Sequence, residues 1–107
     1  MEIRTYVDAD GDDKFLEDLN GLPRAAQIRV WTAIGRMELG NLGDHKSLGD
    51  SIWEHRIHAE SGIRVYFGKV GQEIVLLLTT GLKKSQRKDI EEAKRRWTDH
   101  EQRQDSP

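Results

Sequence analysis

The sequence contains no cysteine, which removes disulfides, thiolate zinc sites and thiol nucleophiles from consideration. Proline is scarce, with two residues, and no low-complexity tract occurs. Disorder is therefore expected only in the polar stretch from about Asp99 onward. The longest unbroken apolar run is residues 74–78, far short of the roughly 20 residues a membrane-spanning helix needs. Met1-Glu2-Ile3-Arg4 leads into a mixed, strand-like segment with no basic and apolar leader pattern, so no secretory signal is read. A reduced, cytoplasmic setting without a membrane partner is expected. An excess of charge of one sign is missing as well: 17 Lys and Arg stand against 19 Asp and Glu. Taken as a sum, this argues against a conventional polyanion binder. The sum hides a segregation, however. Residues 1–23 carry seven acids and two bases, whereas residues 24–104 carry fifteen bases and eleven acids.

What is present fits one small domain, since 107 residues leave no room for a second core. Ile3, Thr5 and Val7 alternate with Glu2, Arg4 and Tyr6 in the period of a short strand. Asp12 or Asp13 is placed to cap a following helix with Phe15, Leu16 and Leu19 on one side, closed at Asn20-Gly21. Pro23 suits the first turn of a second helix. There Ile28, Trp31, Ile34 and Gly35, with Leu39 beyond, follow helical spacing and predict the buried face. Arg24, Arg29 and Arg36 fall on the other side, and Gly40 is a C-terminal stop. Residues 41–50 read as a polar, Gly-rich loop. Three strand-like segments follow at 52–58, 63–68 and 73–79, the last apolar without alternation and so expected to be covered on both faces. Ser85 is placed to cap a final helix through about Trp97, with Ile90, Ala93 and Trp97 inward. The order is β-α-α-β-β-β-α, an α+β domain with a mainly antiparallel sheet.

Candidate chemistry is sparse. His45, His55, His58 and His100 form no helical pair with metal-ligand spacing, so no metal site is expected, and no phosphate-binding glycine loop is present. The better signal is cationic. Alternation puts Glu54, Arg56 and His58 on one face of their strand, and Arg64 with Tyr66 on one face of the next. A hairpin between these strands converges Arg56, Arg64 and Tyr66 on one sheet surface, with Lys83 and Lys84 emerging after the following strand and His45-Lys46 in the preceding loop. Guanidinium forks bind phosphate oxygens in pairs, and an aromatic face stacks a base. The bland alternative is a solvated sheet face on which Glu54 pairs with Arg64.

Several segments are similar to one family. The stretch Leu39-Gly40-Asn41-Leu42-Gly43-Asp44-His45-Lys46-Ser47-Leu48-Gly49 resembles a segment typical of the RelE/ParE toxin superfamily, in its HigB-like addiction-module killer branch. So do Trp53-Glu54-His55-Arg56-Ile57, Gly62-Ile63-Arg64-Val65-Tyr66-Phe67-Gly68, and the run from Leu76 through Gly81, Lys83, Ser85-Gln86 and Asp89-Ile90 to Ala93-Lys94. The similarity extends from about Arg4 to Trp97.

The resemblance implies a toxin domain over residues 1–98 and a polar tail over 99–107. It implies the toxin of a type II toxin–antitoxin pair, a metal-independent, cofactor-free endoribonuclease that cuts mRNA on the ribosome. Its partners would be the ribosome, the message and a cognate antitoxin, of the helix-turn-helix kind. By position, Arg56 and Arg64 match the branch's strand arginines, Tyr66 its strand aromatic, Lys83 its post-strand lysine and Lys46 its loop lysine. Arg56 and Arg64 would stabilise the transition state, Lys46 or Lys83 would act as base, and Tyr66 would stack a base or orient the 2′-hydroxyl. Lys84, His58 and Arg87 would contact RNA. Two departures stand out: Leu82 replaces a polar or acidic residue, and Lys84 a small hydroxyl residue. His55 occupies a usually apolar, core-facing place. Alternatives within the superfamily are a ParE-like inhibitor of DNA gyrase and a non-catalytic binding module.

Overall fold

The computed structural model describes residues 1–59 and 61–104. Residues 105–107, the end of the polar tail expected from the sequence, lie outside the described residues. The elements are β1 (Glu2–Thr5), α1 (Lys14–Asn20), α2 (Arg24–Glu38), β2 (His45–Gly49), β3 (Ile52–Ile57), β4 (Ile63–Val70), β5 (Ile74–Leu82), a 3₁₀ turn (Lys83–Ser85) and α3 (Gln86–Gln104). They build one five-stranded sheet in the order β1-β5-β4-β3-β2. β1 runs parallel to β5, and every other pairing is antiparallel. The α+β expectation is met, with one more strand than the sequence predicted.

Local chemistry accounts for most boundaries. Asp13 caps α1, its Oδ1 accepting from the Leu16 amide at 3.0 Å, so one free N–H of the first turn is satisfied. Gly40 stops α2 at φ +87°, where its amide returns to the Met37 carbonyl. β5 is buried along nearly its whole length, as its unbroken apolar run predicts, because helices cover both faces of the sheet. On one face, Phe15, Leu19, Val30, Met37, Val65, Phe67 and Leu77 form the core under α1 and α2. On the other, Tyr6, Ile52, Tyr66, Leu76, Leu78, Ala93 and Trp97 pack under α3. Gly68 makes the second layer possible, because a Cβ there would lie 2.2 Å from the Trp97 ring.

Three expectations need correction. Residues 45–49 are a strand and not a loop, so Lys46 is an edge-strand residue. The buried stripe of α2 is Ala26, Val30, Ala33, Ile34 and Met37, while Ile28, Trp31 and Leu39 face outward. The helix has two apolar stripes, and the one with small alanines is the one that can lie close on the sheet. The last helix runs to Gln104 instead of ending near Trp97. Its final turns are held by Tyr6 Oη donating to Asp99 Oδ2 at 2.5 Å, and by Arg103 reaching both Asp99 and the Val7 carbonyl.

A charged staple joins the layers at the middle of β5. The buried Arg96 donates through Nη1 to Asp18 Oδ2 of α1 at 2.6 Å and to the Leu78 carbonyl at 2.7 Å, and through Nε to Glu92 at 2.8 Å. Thr79 Oγ1 adds a bond to the same Asp18 oxygen at 2.7 Å. A guanidinium removed from water survives only when its donors are met in this way.

Candidate functional site

The α3-facing side of the sheet carries the charged cluster. Register pairs Arg56 with Arg64 across β3 and β4, Glu54 with Tyr66, and Lys46 with Glu54 across β2 and β3. Directly paired residues share a sheet face, so all five project to the same side. Two arginines directly opposite one another repel, and the structure supplies the counter-charge. The Glu54 side chain is fully buried. Its Oε1 accepts from Arg56 Nε at 3.0 Å and lies 3.8 Å from Arg64 Nε, while Oε2 accepts from Gln86 Nε2 of α3 at 2.8 Å. Burial by itself raises the Glu54 carboxyl, but the Gln86 and Arg56 hydrogen bonds and the two guanidinium charges outweigh it and hold the group below the usual carboxylate range.

The arginines are held without being consumed. Arg56 keeps 34% of its side-chain surface exposed and Arg64 keeps 13%, so the first is open to a ligand and the second lies at the base of the site. Arg64 Nη1 donates to the Gly62 carbonyl at 3.0 Å, and its Nε has no hydrogen-bond partner among the described residues. Gly62 sits at φ +65°, and a Cβ there would lie 2.8 Å from Lys83 Cβ and 3.2 Å from Arg64 Nη1. The Lys83 stem and the Arg64 head therefore flank the same glycine. Lys83 itself is exposed, as is Lys46 on the edge strand. A buried carboxylate thus anchors two guanidiniums, with exposed lysines on either side. Such a cluster can bind phosphate oxygens and stabilise added negative charge on them.

Tyr66 does not join the cluster as a stacking platform. It is fully buried beneath α3 in the second core layer, so no base can reach its ring. Burial, with the nearby Glu54 charge, pushes its hydroxyl well above the ordinary tyrosine value. Alternation placed it correctly on the Arg64 face, but that face is roofed by α3 at this position. The RNA-contact candidates are divided. His58 bonds Asp44 through Nε2 at 2.5 Å and, together with Arg56 of the cluster, lines a cleft under α2 with Arg29 and Arg36. Lys84 lines a groove between α1 and α3 with Asp18, Asp89 and Glu92. Arg87 is exposed on the first turn of α3. His55 is buried on the opposite sheet face, against Gly43, and burial lowers its pKa.

Two participants were not foreseen. Glu54 entered the sequence reading only as a surface partner for Arg64, and its burial depends on the α3 roof. Gln86 carries no charge pattern that could have marked it. Among the described residues, the acids that converge enough to suggest a cation are Asp8, Asp10 and Asp12, in the turn after β1. There Asp8 Oδ1 accepts from the Asp10 and Asp12 amides at 2.9 and 3.0 Å, an ordinary turn-forming arrangement.

Fold and cluster together define a small α+β protein with a cationic, phosphate-compatible surface organised by one buried acid. The chain belongs to the family described as Phage derived protein Gp49-like (DUF891), whose model matches residues 17–98. That family is toxin-like, of the RelE/HigB type. The match takes in Lys46, Glu54, Arg56, Arg64, Lys83 and Gln86. The chain is also 42% identical over 82 residues to a protein of Haemophilus influenzae (strain Rd) described as uncharacterized, an alignment covering 77% of this chain and 81% of the relative.

Proposed function

We propose that this protein is the toxin of a type II toxin–antitoxin pair and acts as a ribosome-dependent endoribonuclease on mRNA. The observation that carries the reading is the Arg56–Arg64 pair clamped by buried Glu54. A guanidinium pair fixed in advance loses little freedom when it meets a phosphate, and it favours the state with the most negative charge. In the reaction, the 2′-oxygen of the RNA attacks the adjacent phosphorus while a base takes its proton. The bond from phosphorus to the 5′-oxygen breaks, the leaving oxygen is protonated, and a 2′,3′-cyclic phosphate remains. Arg56 and Arg64 stabilise the doubly charged phosphorane; one of the rim lysines, Lys46 or Lys83, takes the 2′ proton as its neutral amine, and the ammonium of the other gives a proton to the leaving 5′-oxygen. Proton transfer of this kind is worth about 10²–10⁴-fold.

The test is primer extension on ribosome-bound message after induction of the wild type and of Arg64→Ala and Arg56→Ala. Cleavage with the wild type, lost in both variants along with growth arrest, is the expected result. Growth arrest without cleavage, accompanied by gyrase-dependent DNA damage, assigns the protein to the gyrase-inhibiting branch and overturns the nuclease reading. Full arrest by Arg64→Ala overturns the assigned site.

A further inference from the structure

The outward side of α2 carries an apolar stripe that no described part of the chain covers. Ile28 is 59% exposed, Trp31 52% and Leu39 88%. At about 100° per residue, Ile28, Gly35 and Leu39 fall within one narrow stripe, with Ala25 just beside them and Trp31 along one border. The polar member of this stripe, Thr32, turns its hydroxyl back onto the Ile28 carbonyl at 3.0 Å. Residues 25, 32 and 39, and again 28 and 35, lie one heptad apart, the spacing of a helix-against-helix seam. At its centre, a Cβ on Gly35 would meet nothing within 4 Å, which leaves a hole for a partner's side chain.

The borders specify the partner's charge. Arg29 and Arg36 run along the side opposite Trp31 and also line a cleft of about 290 Å³ between α2, residues 41–44 and the end of β3. Arg24 stands at the start of the stripe. None of the three arginines has a carboxylate partner among the described residues. A second copy of this chain is a poor occupant. In an antiparallel pair the Arg29–Arg36 border would face itself, and α2 offers Glu38 as its sole acid.

We propose that the outward seam of α2, built on Ile28, Trp31, Gly35 and Leu39 and bordered by Arg29 and Arg36, docks an amphipathic helix of a different protein that carries acidic residues along one flank. Identifying that helix with part of a neutralising antitoxin rests on the toxin reading above; the seam and its charge do not.

The full chain is titrated with two synthetic helical peptides of about three heptads, both with a leucine seam, one flanked by glutamate and the other by lysine. Calorimetry and tryptophan emission are the readouts. The acidic peptide is expected to bind and to shift emission to shorter wavelength in the wild type but not in Trp31→Phe. Ile28→Asp, and Arg29→Glu with Arg36→Glu, weaken binding about tenfold or more with unchanged thermal melts, since all three residues are solvent-facing. Equal affinity for both peptides, no binding, or insensitivity to these substitutions overturns the proposal. A concentration-dependent dimer abolished by Ile28→Asp gives the seam to a second copy and also overturns it. Growth arrest is scored separately. Peptide binding in a protein that causes no arrest defeats the toxin reading alone, and arrest without peptide binding defeats the docking seam alone.

Discussion

At the scale of single residues, Glu54 decides what the cationic surface is. Two arginines facing across a ladder repel, and Glu54 supplies the counter-charge as well as a hydrogen bond to Arg56. Glu54→Gln keeps the shape and removes that charge. Cleavage by this variant is expected to fall by about 10-fold or more, equivalent to roughly 1.4 kcal/mol of lost organisation. Stability should fall too, by about 2 kcal/mol at neutral pH, the scale of a hydrogen bond to a charged group. The Glu54 carboxyl lies lower in the folded chain than its ordinary value of 4.5, so its contribution is present above that value and lost as pH falls through the folded one. Thermal melts at pH 7 and pH 3 check this: the gap between wild type and Glu54→Gln should narrow in acid. Tyr66 makes the opposite case. Its hydroxyl is buried without a hydrogen-bond partner among the described residues, so Tyr66→Phe should leave arrest intact and change stability by less than about 1 kcal/mol. Loss of cleavage by a well-folded Tyr66→Phe would return the tyrosine to the chemistry.

At the scale of elements, what was legible depended on whether the signal was local. Asp13 at the start of α1, Gly40 at the end of α2 and the unbroken apolar run of β5 all act within a few residues, and each was readable. Strand β2 was not, for a specific reason. The turn joining it to β3 places Asp50 at φ +54° and Ser51 at φ +68°, the two left-handed positions of a tight hairpin, without the Asn-Gly that usually marks one. Holding a serine there is strained, so Ser51→Gly should raise stability by about 1 kcal/mol, read as a higher melting temperature. A lower one would mean that the turn is held by something other than its backbone. The two stripes of α2 were illegible for a different reason. Periodicity reports that a helix is amphipathic, and only the sheet beneath it decides which of two apolar faces is inward. The site was half readable on the same grounds. Alternation brought Arg56, Arg64 and Tyr66 to one face, but whether that face was open depended on where α3 lay.

At the scale of the whole molecule, the near-neutral charge of the chain is a partition. The acidic stretch is β1, the turn after it and α1, and the bases lie on α2, the sheet and α3. Such a protein is expected to have no general hold on polyanions and, on the function proposed above, to depend on the placed cluster. Affinity for free RNA is expected to be weak and to fall steeply between 50 and 200 mM salt, about in proportion to the few phosphates contacted. Filter binding across that range measures the slope; tight binding at physiological salt would contradict it. No helix among the described residues is long and apolar enough to cross a membrane.

The pairing of β1 with β5 has a consequence for how the protein is made. Ile3 sits opposite Val75, and Tyr6 is tied to Asp99 on α3, so β1 cannot be placed until segments made much later have been added. Contacts so distant in sequence form slowly and late. Gln86, which completes the grip on Glu54, belongs to that same final helix. The cluster is therefore expected to close only after α3 has packed onto the sheet. By this geometry the paired arginines are among the last parts of the fold to be put in place.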